Sequence, residues 1–205
     1  YSPEADTDDF LFNPEESKQE SDVLIKLLAI NAVMFVVELI IGLSAQSTGL
    51  IADSLDMFAD ATVYGVSLYA VGKSKSLQNR SALLSGVLQI VLALGALSEV
   101  VRRFWFGSEP NSLLMTTISF VALIANVSCM FLLAKHRNGA VHMKASWIFS
   151  ANDVIANMGV IVAGALVYFS KSSLPDLIIG FLIAVIVFRG GVTIVKLANS
   201  SNKSE

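Results

Sequence analysis

The sequence predicts an all-α membrane protein with six transmembrane helices and both termini on the cytoplasmic side. Three observations carry that expectation. Hydrophobic residues make up 54% of 205 positions. Six apolar stretches recur, each close to the ~20 residues that cross a bilayer as a helix. Basic residues gather in alternate loops, as they do on the cytoplasmic side of membrane proteins.

The first 22 residues stand apart from the rest. Tyr1 to Asp22 hold eight acidic residues and two prolines with hardly an apolar run, a composition that reads as a disordered tail. They also account for most of the net charge of −3, so that charge points to no nucleic-acid partner. The membrane-spanning part of the chain is placed at 23–197, and 198–205 reads as a short C-terminal tail.

The six stretches are placed at Val23–Ser44, Leu50–Gly72, Leu83–Phe104, Leu113–Ala134, Ala145–Phe169 and Leu174–Leu197. In hydrocarbon the backbone must satisfy itself, so each is read as a helix. Lys73, Lys75 and Arg80 fall in the second loop and Lys135, Arg137 and Lys144 in the fourth, with Lys18, Lys26, Lys196 and Lys203 near the ends. The opposite side carries Arg102, Arg103 and Lys171. The single Cys129 excludes a disulfide framework within the chain and reads as packing.

The second stretch holds the chemistry. Its segment IADSLDMFAD places Asp53, Asp56 and Asp60 on one helical face. A carboxylate at mid-membrane costs ~2.5–3.5 kcal/mol on insertion scales. Three on one stripe repel unless protonated, hydrogen-bonded or bound to a cation. Basic partners on other helices would be the ordinary explanation, but Lys and Arg cluster at the ends of the apolar stretches. The fifth stretch adds Asn152, Asp153 and Asn157 in SANDVIANMGV. At ~1.5 Å per residue, Asp56 and Asp60 lie ~9 and ~15 Å from one face and Asp153 ~12 Å from the other. These depths overlap, so the three carboxylates could meet around one ion.

Other intramembrane polar residues, namely Asn31, Ser85, Gln89, Glu99, Asn126 and Ser128, are expected to hydrogen-bond between helices. Glu38 could instead line a cavity, and Arg189 is expected to snorkel or to pair with an acidic group. His136 and His142 sit in or beside the loop before the fifth stretch, where solvation is the ordinary reading.

With STGLIADSLDMFAD, the Asp153 motif, EVVRRF and PDLIIGFLIAVIVF in order, the chain resembles the membrane domain of the cation diffusion facilitators. That family exports zinc and related divalent metals in exchange for protons. The resemblance implies that Asp56, Asp60 and Asp153 are metal ligands; Asp53, Asn152 and Asn157, beside them in the sequence, are candidates for further ligands or their supports. It also implies a histidine at position 149, where this chain has Phe149, and in many zinc transporters a histidine at the position of Asp56. The transported cation is expected to be zinc, with cadmium, cobalt, iron and manganese as alternatives, and no cofactor is expected. The same resemblance implies a multi-pass protein of the cell inner or plasma membrane, paired as a homodimer. Relatives carry a cytoplasmic domain after the sixth helix, so the chain reads as a short form whose dimer rests on membrane helices.

The mechanism expected is metal/proton antiport: carboxylates protonated in the empty site release protons when a divalent cation binds. Two other readings fit the same residues. A transporter of small organic cations would use the same carboxylates as counter-ions, beside Phe58, Trp147 and Phe149. A non-transporting subunit would keep only the fold. An intramembrane aspartyl enzyme is disfavoured because neither Asp60 nor Asp153 has the glycine–aspartate setting such a dyad needs.

Overall fold

The computed structural model describes residues 14–70, 75–134 and 141–201. Among them there are six helices and no strand: α1 Pro14–Ser44, α2 Thr48–Ala70, α3 Lys75–Phe106, α4 Ser112–Leu133, α5 Val141–Ser170 and α6 Leu174–Ser201. The acidic positions up to 13, Lys73, Lys135, His136, Arg137 and Lys203 lie outside the described residues.

Several helices run past the apolar stretches that announced them. α1 starts at Pro14, inside the segment expected to be a disordered tail, and α6 continues to Ser201. An apolar run measures hydrocarbon thickness rather than helix length. Pro14 suits a first helical position because its missing N–H would have had no partner there.

Five of the six helices are long and apolar enough to cross a membrane, which makes this a multi-pass membrane protein. α2 is outside that group because Asp53, Asp56 and Asp60 interrupt its apolar sequence. The outer surface is apolar, with Ile40, Leu84, Phe131 and Ile155 among the exposed side chains. The interior packs Leu50, Ala59, Met115, Val160, Ile183 and Val187 into one cluster. Cys129 is buried with Leu27, Tyr64 and Leu133 in a second.

The helices associate chiefly as pairs: α1 with α2, α3 with α6, and α4 with α5, while α2 also lies against α3 and α6. Glycine permits the closest of these approaches. At the α3–α6 crossing, a Cβ on Gly191 would come 2.9 Å from the Gly86 carbonyl oxygen. Where α6 meets the start of α2, a Cβ on Gly180 would sit 2.9 Å from the Thr48 carbonyl. Small residues at such contacts are the usual means of joining helices in lipid.

The end of the bundle away from both termini is tied together by polar groups. α1 stops with Gln46 in the left-handed region at φ 50°, while the Ser47 N–H returns to the Gly42 carbonyl at 3.0 Å. Asn111 caps α4 by accepting from the Leu114 N–H at 3.0 Å, and its own N–H donates to the Ala45 carbonyl at 2.9 Å. The strongest tie is Asp176, fully buried in the first turn of α6. Its carboxylate accepts from the Thr48 N–H at 2.6 Å, the Gly49 N–H at 2.9 Å and the Ser47 hydroxyl at 2.7 Å. The first N–H groups of a helix have no partner within it, so the α6 carboxylate completes the α2 terminus and fixes the origin of the helix that bears the aspartates.

Candidate cation site

From that anchored terminus α2 carries Asp53, Asp56 and Asp60 inward, and α5 brings Asn152, Asp153 and Asn157 to meet them. Asp56, Asp60 and Asp153 all line one cavity of about 130 Å³, together with Asn152, Gln89 and Gly190. Asp60 and Asp153 are buried and Asp56 is half-buried. Among the described residues, no three acidic, histidine or cysteine side chains close tightly enough around one point to hold a metal ion in this arrangement.

Each carboxylate has a distinct setting. Tyr64, one turn beyond Asp60, donates its hydroxyl to Asp60 at 3.1 Å and is itself fully buried. Asp153 Oδ2 is buried with no hydrogen-bond partner. Among the described residues the ion pairs join Glu99 to Arg102 and Arg103, and none reaches these aspartates. Basic counter-ions, the ordinary explanation for such a stripe, are therefore missing from the described part of the cluster.

Asp53 belongs to a separate network. It accepts from Asn157 Nδ2 at 2.6 Å, and Asn157 Oδ1 in turn accepts from Asn126 Nδ2 at 2.9 Å. This buried chain links α2, α5 and α4 and stands outside the lining of the cavity. Of the three supporting residues expected from sequence, Asn152 faces the cavity while Asp53 and Asn157 bond each other beside it. Glu38 on α1 is fully buried with both carboxyl oxygens unpartnered and does not line the cavity. Phe149 lies on α5, but its side chain is outside the described part, as are those of His142 and Lys144.

Two roles are not directly legible in the sequence. Gln89, expected to hydrogen-bond between helices, does so through Nε2 to the Ala59 carbonyl at 3.3 Å. It also brings a neutral oxygen donor to the cavity wall. Tyr64 could have been found from its spacing of four from Asp60. Three expected interhelical bonds are instead local. Asn31 donates to Leu27, Ser128 donates to Ile124, and Glu99 accepts from arginines on its own helix. An apolar neighbouring helix offers these groups nothing better than their own backbone or a nearby turn. Arg189 is exposed.

The fold thus defines a multi-pass helical membrane protein with an acidic cavity lined by α2, α3, α5 and α6. Residues 24–201 match the cation efflux transmembrane domain, and the chain belongs to the cation efflux family. The cadmium, cobalt and zinc/H(+)-K(+) antiporter of Bacillus subtilis is 23% identical over 198 residues, covering 90% of this chain and 63% of that protein. The zinc transporter ZitB of Yersinia pseudotuberculosis is 23% identical over 186 residues, covering 84% of this chain and 60% of its own length. The vacuolar zinc transporter ZRC1 of Saccharomyces cerevisiae is 29% identical over 133 residues, 58% of this chain and 30% of the yeast protein. The chain therefore spans less than two thirds of these relatives.

Proposed function

We propose that the protein moves a divalent metal cation, zinc foremost, across the membrane in exchange for protons. Asp56, Asp60 and Asp153 hold the ion. The supporting observation is their convergence from two helices on one cavity, with no ion pair reaching them among the described residues. Three carboxylates on one cavity favour a proton or a cation among them. A divalent ion replaces the protons because its ligands must be deprotonated to bind.

Gln89 and Asn152 on the same wall offer neutral oxygens that complete the coordination where position 149 supplies no histidine. Zinc accepts carboxylate oxygens at ~2.0–2.2 Å, although an oxygen-rich donor set also suits manganese. In this reading all six helices span the bilayer, with both termini cytoplasmic, and cadmium and cobalt are alternative cargo.

The test is metal flux into proteoliposomes of the purified protein, with an internal pH reporter. Wild type should move zinc and protons in opposite directions, which a non-transporting subunit would not do. Asp60→Asn and Asp153→Asn keep the shape and remove a ligand charge, so each should lose nearly all flux while remaining folded. Wild-type flux in both variants would reject the site.

A further inference from the structure

A second cluster of charge lies at the bundle end away from both termini, remote in sequence from the acidic cavity. α3 finishes with Glu99, Arg102 and Arg103, and the chain then turns at Gly107, where φ is 81°. One carboxylate serves both guanidinium groups. Arg102 donates to Glu99 through Nε at 2.8 Å and Nη2 at 2.6 Å, and Arg103 donates through Nε. Two cations against one anion leave the group with an excess positive charge.

That charge is accompanied by unused donors. Arg103 is 4% exposed, and its Nη1 is buried with no acceptor. Ser108 Oγ, in the turn that follows, is also buried and unpartnered. Both residues line one pocket of about 350 Å³, shared with Arg102, Glu99, Gln46 and Gly107. Buried donors are normally satisfied, and here a guanidinium N–H and a hydroxyl lack an acceptor at the same place.

The complementary ligand is an anion with several acceptor oxygens. A phosphate group fits because guanidinium presents its N–H donors in a planar fork. The depth of the pocket is marked by Phe104, Trp105 and Phe106, which are exposed on the same last turn of α3. Exposed aromatic rings at a helix end mark the membrane–water interface, the level at which phospholipid headgroups lie.

We infer that the pocket formed by Arg102, Arg103 and Ser108 binds a phosphate group, presented by an anionic phospholipid headgroup at the membrane surface. It is a lipid site separate from the ion path, and it holds the α3–α4 turn to the bilayer.

The experiment uses the full chain in neutral detergent. Native mass spectrometry with added phosphatidylglycerol, against phosphatidylcholine, measures lipid binding. Thermal shift with inorganic phosphate, in otherwise phosphate-free buffer, measures the free anion. Wild type should bind one phosphatidylglycerol in preference to phosphatidylcholine. Arg103→Gln should weaken this about tenfold or more, and Ser108→Ala about fivefold, as expected for a charged and a neutral hydrogen bond. Ser108→Ala leaves the Glu99–Arg103 pair intact, so it decides the matter if Arg103→Gln does not fold. Binding of inorganic phosphate with the same dependence, but not of the lipid, would overturn the lipid source and retain the phosphate site. Equal binding of both ligands by wild type and Ser108→Ala would overturn the site itself.

Discussion

Replacing Asp176 by alanine tests how the start of α2 is held. The carboxylate accepts from the Thr48 and Gly49 N–H groups and from the Ser47 hydroxyl, at 2.6, 2.9 and 2.7 Å. Alanine strands these donors where Asp176 and Ser47 are fully buried. An unsatisfied buried donor costs ~1–3 kcal/mol. The three losses overlap, because the serine hydroxyl can rotate and water can fill part of the space, so the expected destabilisation is about 3–5 kcal/mol. Asp176→Asn keeps one acceptor oxygen and the side-chain shape but aims an N–H₂ group at donors. It should fall between wild type and alanine. Reversible unfolding in mixed micelles, followed by helical circular dichroism, measures both. A change below ~0.5 kcal/mol for the alanine variant, the range of an ordinary surface substitution, would show that the carboxylate does not secure α2.

Three other outcomes are expected. Gly180→Ala places a Cβ 2.8–2.9 Å from Thr48, so it should cost ~1–3 kcal/mol through forced separation of α2 and α6, read in the same unfolding assay. Asn157→Ala removes the donor to Asp53 and the acceptor of Asn126; folding should weaken by ~2–4 kcal/mol, more than in Asn152→Ala, whose side chain is exposed. Equal stabilities would discount the network. Phe149→His should raise zinc affinity relative to manganese, because imidazole suits zinc better. An unchanged ratio by calorimetry, with metal still bound, would mean that position 149 does not face the ion.

The number and order of helices could be read from the sequence because a bilayer imposes a length of apolar residues on each one. Their ends could not, since α1 and α6 continue into polar sequence where hydropathy gives no signal. The convergence of α2 and α5 followed from depth alone: Asp56, Asp60 and Asp153 count inward to similar levels. Partner choice was hidden. Nothing in a spacing tells that Asn157 would take Asp53 as its acceptor, or that Gln89 would reach the cavity from α3. Those depend on which faces meet, and glycines such as Gly86 and Gly191 set that by letting particular helices approach.

The pairing of helices carries a mechanical consequence for the acidic cavity. α2 is fastened to α6 at Asp176 and Gly180, and α6 lies along α3, whereas α5 lies along α4. Asp56 and Asp60 thus come from the α2–α3–α6 side of the bundle and Asp153 from the α4–α5 side, and the Asp53–Asn157 bond already crosses between the two. On the proposed reading, a cation held by Asp60 and Asp153 would be a removable rivet beside that permanent one, joining the two sides only while it is bound.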